Sequence, residues 1–336
     1  MNQSLSCSII IPVHNGAKTL GRCLDALAAQ VSASGAGEVI VVDDASTDGT
    51  AAVAQAHGVR VVTLLEQAGP AAARNAGAGM ALGDVLLFTD ADCEPVADWC
   101  QQMLRPLADP QVCGTYGAYR TRQTAWVARL AQAEFDERYA RLAGQQNIDF
   151  FATHAAAVRR DAFLEVGGFR TDLRGNEDVE LAFRISRKGY RLVFAPQAVV
   201  YHEHPATLRS YLWTKVSRGY WRTLTYAAHP GKALADAYTP PWLKLQVAGM
   251  VAALLMLPLS ALHVTFCSLL LLTVSVLVLT TLPFTVFVSR ADPDLVFVSS
   301  LFSLLRSAAL ALGVIAGLVA VGMGKYQHED TKTPRH

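Results

Sequence analysis

The chain has 336 residues, long enough for two average domains, and its 29 lysines and arginines almost balance its 28 aspartates and glutamates. With a formal net charge of +1, it carries no overall basic field, so we do not expect a nucleic-acid partner. Its six cysteines form neither a CxxC pair nor a zinc-ligand spacing, as is usual for a chain that folds in a reducing compartment.

Short apolar runs alternate with helical patterns over the first part of the chain. Four of the runs are continuous and rich in β-branched residues: residues 8–11, 39–42, 59–65 and 85–88. Three helical patterns lie between them: residues 17–30, 50–56 and 71–81. Continuous apolar strands separated by helices indicate a mostly parallel sheet flanked by helices and buried on both faces. We therefore predict a Rossmann-like α/β fold, although the GxGxxG fingerprint of dinucleotide-binding proteins and the Walker pattern are both absent.

Polar side chains follow three of these strands, at residues 14–16, at residues 43–44, and at Asp90 and Asp92. Ligands of open α/β sheets bind beyond the carboxyl ends of the strands, where these clusters lie. Two carboxylates one residue apart after a buried strand can hold a hard divalent cation. The alternative for Asp90 and Asp92 is a pair of solvated turn residues. We interpret Cys93 as a small buried hydrophobe, because a thiolate is a poor ligand for an oxygen-preferring ion.

A second acidic cluster, at residues 176–180, opens a helical run at residues 179–188. It follows an amphipathic helical pattern over residues 118–144 and precedes strand-like runs that end at His202. Acids in the first turn of a helix interact favourably with the helix dipole. The residues alone therefore leave open whether Asp178 has a structural or a chemical role.

The C-terminal part of the chain is predicted to enter a membrane, with a transmembrane region of two to three helices at residues 243–324 and a polar tail at residues 325–336. No Asp, Glu, Lys or Arg occurs between residues 245 and 288. As a helix this run would extend roughly 66 Å at about 1.5 Å per residue, twice the ~30 Å of a bilayer core, which indicates two spans with a turn near His263. A further apolar run contains Arg306, which either faces a partner helix or marks a boundary of the third span.

Basic and aromatic residues alternate in the segment at residues 205–242, just before these spans. Such a composition is typical of a helix that lies among the anionic headgroups of membrane lipids. An ordinary solvated helix is the alternative.

Taken in order, the motifs resemble those of the family 2 glycosyltransferases, which are inverting enzymes of GT-A fold. The matching pieces are residues 9–15, 41–50, 69–77, 88–92, 158–160, 166–169 and 176–181. The resemblance covers about residues 6–205, and the order of the motifs is more specific than any one of them. It implies a GT-A catalytic domain at residues 1–204.

The resemblance also implies a Mg²⁺ or Mn²⁺ ion, which would stabilise the charge that develops on a leaving diphosphate. Asp92 would hold the ion, and Asp90 would face the ribose or a metal-bound water. His202 would add a metal or phosphate contact, with His204 as the competing candidate. The alternative for His202 is a surface histidine near the membrane that has no such contact.

The donor's nucleotide would bind at the same strand ends. By resemblance, Asp44 would accept a hydrogen bond from uracil or another base, and Arg74 would contact the base or a phosphate. Pro12, His14 and Asn15 would line the base and ribose pocket. The alternatives are that the acidic loop caps the following helix and that Arg74 is a solvated residue at a helix start.

An inverting transfer needs one carboxylate to take the proton of the acceptor hydroxyl as it attacks the anomeric carbon. The resemblance assigns this role to Asp178 and places Glu177 toward the donor or acceptor sugar.

We therefore expect transfer of a sugar from a nucleotide-diphosphate donor, a UDP-sugar in the first instance, to a sugar or lipid-linked acceptor at the membrane. The setting would be envelope glycan or glycolipid synthesis. Residues 217–222 lack the QxxRW signature of processive members of the family. A processive polysaccharide synthase and an inactive scaffold that keeps the nucleotide fold are the alternatives. Since the first residues lack the features of a signal peptide, we expect a multi-pass protein of the cytoplasmic membrane whose catalytic domain faces the cytoplasm.

Overall fold

The computed structural model describes residues 5–33 and 37–324, so the predicted polar tail lies outside the described residues. The chain divides into two compact units. The first contains Met1–Gln123 and Tyr139–Glu203, and the second contains Thr124–Arg138 and His204–His336.

The first unit is built on a sheet flanked by helices. Its strands are β1 (Cys7–Val13), β2 (Glu38–Asp43), β3 (Arg60–Thr63), β4 (Val85–Phe88), β5 (Glu94–Pro95), β6 (Val112–Arg120), β7 (Ala156–Arg159) and β8 (Arg191–Tyr201). Its helices are α1 (Ala17–Ala33), α2 (Thr50–Ala56), α3 (Pro70–Met80), α4 (Trp99–Leu104), α6 (Arg160–Glu165) and α7 (Glu177–Arg187). The helix between α4 and α6, α5 (Trp126–Leu142), is divided between the two units after Arg138.

The four strands predicted from the sequence form the parallel half of this sheet, whose strand order is β3-β2-β1-β4-β7-β6-β8-β5. β1 pairs in parallel with β2 and β4, and β2 pairs in parallel with β3. β7 runs antiparallel to both β4 and β6, so the sheet is mixed rather than purely parallel. The side chains of β1 and β4 are buried throughout, as expected for strands covered on both faces.

The register of the parallel strands gathers their carboxyl ends at one edge of the sheet. Val13 lies beside Asp43, and Ile10 lies beside Phe88. The polar residues that follow β1, β2 and β4 therefore lie close together, as the sequence predicts.

Close contact between α3 and the sheet depends on Gly77. A Cβ atom at this position would lie 2.6 Å from Ile10 Cγ2 and 3.0 Å from Val42 Cγ2. A Cβ atom at Gly79, in the same helix, would have no atom of the described residues within 4 Å, apart from its chain neighbours and the backbone of its own helix. The two glycines therefore form a matched pair, one at a helix–sheet contact and one in open space.

We predict opposite effects of alanine at these two glycines. Gly77→Ala should lower the free energy of unfolding by about 1–3 kcal/mol, because the added methyl group must displace β-sheet side chains. Gly79→Ala should raise it by roughly 0.5–1 kcal/mol, because alanine is the better helix former. Denaturant unfolding of both purified variants measures the difference, and equal effects would contradict this account of the α3 contact.

Three stretches of the second unit are long and apolar enough to span a membrane: Pro241–Leu259, Val264–Ala291 and Pro293–Gly322. They contain four helices: α10 (Pro241–Leu259), α11 (Val264–Leu279), α12 (Leu282–Ala291) and α13 (Val296–Gly322). His263 separates α10 from α11, where the sequence predicts a turn. Of the two or three spans that the sequence allows, the described residues contain three candidates.

Two further helices, α8 (Leu208–Ala228) and the short α9 (Lys232–Ala235), precede these stretches. α8 packs in parallel against α13 at small residues. A Cβ atom at Gly219 would lie 2.4 Å from the carbonyl oxygen of Leu310, and one at Gly317 would lie 2.7 Å from Thr223 Cβ. The backbones of the two helices therefore approach closely at these glycines.

Arg306 lies inside the helices of the second unit and is 3% exposed. Its Nη1 atom is 3.4 Å from Glu134 Oε1. Its Nη2 atom donates to Ser303 Oγ at 3.0 Å and to Gln246 Oε1 at 3.4 Å. The structure therefore agrees with the first interpretation of this residue, in which it faces partner helices and its charge is kept from lipid.

Candidate active site

The two carboxylates of the predicted metal site lie on a turn directly after β4. The N–H group of Cys93 donates to the carbonyl oxygen of Asp90 at 3.0 Å and closes this turn. The side chain of Asp92 is 51% exposed and that of Asp90 is 31% exposed. Both carboxylates can therefore be reached by a ligand at the edge of the sheet.

His202 is brought to Asp92 by the pairing of β5 with β8, in which Glu94 lies beside Tyr201. The Nε2 atom of His202 is 3.1 Å from Asp92 Oδ2. Its Nδ1 atom is hydrogen-bonded to the hydroxyl group of Tyr119. The imidazole ring is thus held at both nitrogens.

The electrostatics of this pair favour an ionised carboxylate. Burial lowers the pKa of His202, but the hydrogen bond and charge of Asp92 outweigh burial and raise it above its usual value. Burial likewise raises the pKa of Asp92, but His202 outweighs this effect and the net result is a lower pKa. Each group of the pair thus favours the charged form of the other.

The side chains at this turn suit a hard divalent cation. Ligand atoms of Asp92, Cys93 and His202 lie within 4.8 Å of one another. The Cys93 thiol is buried, and burial with the nearby acids raises its pKa well above the usual value, so it stays protonated. What remains is carboxylate oxygen and one imidazole nitrogen, a donor set compatible with Mg²⁺ or Mn²⁺. His204, the competing histidine, instead lies 3.1 Å from Gln132 Oε1 in the second unit.

Arg74 connects the turn after β4 with the start of α7. Its Nη2 atom donates to Asp90 Oδ1 and its Nη1 atom donates to Glu177 Oε1, both at 2.8 Å. Arg74 is 4% exposed, so the alternative of a solvated arginine at a helix start is wrong. Burial lowers its pKa, but Asp90 and Glu177 outweigh burial and raise it, which keeps the guanidinium charged. Its Nε–H group is buried and has no hydrogen-bond partner within the described chain.

Two polar pairs hold the loop between α6 and α7. Arg184 forms an ion pair with Glu180 at 2.7 Å and donates to the carbonyl oxygen of Gly168 at 2.6 Å. Asn75 donates to the carbonyl oxygen of Phe169 at 2.7 Å and accepts its N–H group at 2.8 Å. Glu180 therefore has a structural role. The hydrogen bonds to Gly168 and Phe169 hold the start of the loop that leads to Asp178.

Asp178 lies in the first turn of α7, next to Glu177. Its Oδ1 atom accepts the N–H group of Val179 at 2.7 Å, and its side chain is half-buried. The preceding residue, Asn176, has a positive φ of 66°, which turns the chain sharply into the helix. The acidic pair thus divides its contacts, with Glu177 bound to Arg74 and Asp178 lying outside this bridge.

The predicted nucleotide residues form a hydrogen-bonded edge beyond β1 and β2. The two carboxylate oxygens of Asp44 accept the N–H groups of Ala68 and Gly69 at 2.7 and 2.8 Å. The Nδ1 atom of His14 is 2.7 Å from the carbonyl oxygen of Asp44. Asp44 therefore shapes the loop before α3, and any hydrogen bond from a base would use its remaining lone pairs.

Asn15 locks the loops after β1 and β2 together. Its N–H group donates to Ser46 Oγ at 2.9 Å, and its Oδ1 atom accepts the N–H group of Thr47 at 2.8 Å. Its positive φ of 53° is a conformation that asparagine tolerates better than most residues. Pro12 is buried within β1 beside Val42, so only its backbone can contribute to a pocket.

Sequence reasoning missed some residues that support the site. Asn75 lies within a matched motif, but its hydrogen bonds to residue 169 could not be anticipated. Tyr119 has no local signal at all, because its contact with His202 joins residues 83 positions apart. The bridge from Arg74 to Glu177 spans 103 positions.

A mixed sheet of this order, with an acidic pair and a histidine at its strand ends, defines a GT-A-like domain. Residues 8–167 match the model of the family described as Glycosyl transferase family 2. The chain therefore carries a family 2 glycosyltransferase domain.

Curated relatives support this assignment. The chain is 28% identical over 234 residues to the pre-mycofactocin glycosyltransferase of Mycobacterium tuberculosis, an alignment that covers 67% of this chain and 48% of the relative. It is 30% identical over 210 residues to the glycosyltransferase AglE of Haloferax volcanii, covering 58% of this chain and 66% of that protein. The chain thus spans about half the length of the first relative.

Among solved structures, the chain is similar in fold to the mannosyltransferase PcManGT of Pyrobaculum calidifontis, which was solved with GDP-mannose and Mn²⁺. The TM-score is 0.62 at 23% identity, over 93% of this chain and 86% of the other. The likeness establishes the fold and extends beyond the residues that match the family model.

We predict that the Arg74 bridge is the main stabilising contact of the site. Arg74→Gln should lower the free energy of unfolding by about 3–5 kcal/mol, because it leaves the nearly buried Glu177 without its counter-charge. Arg187→Gln removes the same charge from an exposed position on α7 and should change stability by less than about 0.5 kcal/mol. Thermal and denaturant unfolding measure both, and similar behaviour of the two variants would refute the role given to Arg74.

Proposed function

We propose that this chain is a metal-dependent glycosyltransferase that moves a sugar from a nucleotide-diphosphate donor, with inversion, to a lipid-linked acceptor at a membrane. The observation that carries the proposal is the meeting of Asp90, Asp92 and His202 at the carboxyl ends of the strands. This is where a sheet of this kind binds its ligands.

The metal site would consist of Asp92 and His202, with Asp90 beside them. A bound Mg²⁺ or Mn²⁺ ion would supply positive charge where the leaving diphosphate becomes more negative. Arg74 holds Asp90 by a hydrogen bond, and we propose that its guanidinium group also contacts the base or a phosphate. These residues make the donor half of the proposed centre.

The nucleotide would bind along the loops after β1 and β2. Asp44 is proposed to accept a hydrogen bond from the base, while Pro12, His14 and Asn15 contribute the wall of the base and ribose pocket. Uracil is the base that we propose, so the donor would be a UDP-sugar. The loops are cross-linked by the hydrogen bonds of Asn15, which favours a pocket that is formed before the donor binds.

Asp178 is proposed as the general base. As the acceptor oxygen bonds to the anomeric carbon, the bond from that carbon to the diphosphate oxygen breaks, and Asp178 takes the proton of the hydroxyl group. Glu177 cannot readily share this role, because Arg74 neutralises its carboxylate. We propose that Glu177 instead helps to position the sugar, because it holds Arg74, which in turn holds Asp90.

The acceptor is proposed to be lipid-linked because the described part of the same chain contains three candidate spans. A multi-pass protein of the cytoplasmic membrane, with this domain on the cytoplasmic side, would meet both a soluble nucleotide sugar and a lipid-linked acceptor. Envelope glycan or glycolipid synthesis is the setting that follows.

We predict that Asp178→Asn lowers turnover by about 100-fold or more while donor binding is retained, because the variant cannot accept the proton. Asp172→Asn, an exposed aspartate of the loop before α7, is the control and should keep wild-type turnover. Release of nucleotide diphosphate in the presence of Mn²⁺ measures turnover, and thermal shift with the donor measures binding. Wild-type turnover in Asp178→Asn would remove this residue from the mechanism.

A further inference from the structure

The second unit contains a group of basic side chains that the proposed reaction does not use. Lys215, Arg218 and Arg222 lie at i, i+3 and i+7 along α8, which places them on one face of the helix. Arg138 of α5 joins them from another helix of the same unit. Four cations from two helices thus lie in one region of this unit.

This basic cluster is organised around the half-buried ring of Tyr238. The guanidinium carbons of Arg138 and Arg222 lie over this ring, 3.9 and 4.0 Å from its centroid. Burial raises the pKa of Tyr238, but Arg138, Arg218, Arg222 and Lys215 outweigh burial and lower it to about 8. A phenol whose pKa is lowered in this way marks a region of positive potential.

Only part of this positive charge is compensated. Lys215 is buried, and its Nζ atom is 2.5 Å from Glu134 Oε2. Arg218, which is exposed, and Arg222 form no ion pair with any carboxylate of the described residues. The Nη1 atom of Arg222 is buried without a hydrogen-bond partner in the described chain. These two arginines therefore have donors available for an anion.

Asp236, an acid that interacts with Arg222, does not supply that anion. Asp236 interacts with the charge of Arg222 but forms its ion pair with Lys244 at 2.9 Å. It also accepts the hydroxyl hydrogen of Tyr226 at 2.6 Å. Its carboxylate is therefore engaged elsewhere.

An aromatic side chain of the same helix suggests what kind of anion fits. Trp221 is half-exposed and lies at i+3 from Arg218, so the two side chains are neighbours on the helix surface. The first apolar stretch begins soon afterwards, at Pro241. Amphipathic aromatic rings and an adjacent apolar helix are suited to a ligand with both a charged head and a hydrocarbon tail.

We propose that Arg218 and Arg222, with Arg138 and Tyr238 beside them, bind the phosphate ester that joins an acceptor to its lipid. Planar guanidinium groups match phosphate oxygens in pairs, which a lysine cannot do. The inference rests on the proposed function, because it names the part of a lipid-linked acceptor that the second unit would hold. The hydroxyl group that attacks the donor belongs to another part of that acceptor.

The test uses the full chain in detergent with EDTA present, so that no metal can bind a diphosphate at the strand ends. Farnesyl diphosphate is the probe, and calorimetry measures its dissociation constant. Arg218→Gln/Arg222→Gln should raise this constant about tenfold or more, because two charge-assisted contacts are lost. Arg209→Gln removes the same charge from an exposed position on the same helix and should leave binding unchanged. Should the double variant fail to fold by gel filtration and circular dichroism, Arg218→Gln alone carries the test, since its side chain is exposed.

Further arms distinguish the sources of the anion. Inorganic diphosphate that binds as tightly as farnesyl diphosphate would overturn the lipid assignment. Phosphatidylglycerol nanodiscs that displace the probe equally well would indicate a general membrane contact and would also overturn it. Unchanged probe binding in the double variant would overturn the site itself.

Donor binding in the same preparations keeps this inference distinct from the proposed function. With Mn²⁺ in place of EDTA, wild-type and variant protein should bind a UDP-sugar equally. Intact donor binding together with unchanged farnesyl diphosphate binding would refute the phosphate site alone. Failure of the wild-type chain to bind any nucleotide sugar would instead count against the glycosyltransferase proposal.

Discussion

The contact of one buried arginine with two carboxylates is the interaction on which the candidate active site depends. Arg74 lies on α3, Asp90 follows β4, and Glu177 opens α7, so a single guanidinium joins three elements that are distant in the sequence. Without it, the nearly buried carboxylate of Glu177 would face low-dielectric surroundings uncompensated, which is among the costliest changes a protein interior can suffer. The bridge also holds the turn that carries the proposed metal ligands next to the first turn of α7, which carries the proposed base.

The second unit uses the same principle among apolar helices. Arg306 lies within a stretch that is hydrophobic enough to span a membrane, yet Glu134, Gln246 and Ser303 surround its guanidinium. Glu134 is itself bound by Lys215, and these cations hold its pKa at about 2 even though burial acts to raise it. Close packing of α8 on α13 at glycines brings the helices near enough for these polar groups to meet. The buried charges of Arg306, Lys215 and Glu134 are therefore tolerated because they are paired with one another.

Local patterns were enough to predict much of this molecule. Strands covered on both faces are continuously apolar, which is why β1 to β4 and their polar ends could be located, and charge-free runs identified the apolar helices. Contacts between distant residues could not be predicted. No local rule separates His202 from His204, and only the pairing of β5 with β8 shows that His202 is the one beside Asp92. The antiparallel position of β7 between β4 and β6, which makes the sheet mixed, likewise depends on long-range pairing.

The central claim is that Asp92 and His202 together hold the divalent cation of a sugar-nucleotide site. Pulsed electron paramagnetic resonance of the Mn²⁺-loaded protein with UDP tests it most directly, because nitrogen coupling reports imidazole coordination. We predict a histidine nitrogen signal that is lost in His202→Gln and kept in His204→Gln. A signal that persists in His202→Gln, or is lost in His204→Gln instead, would contradict it.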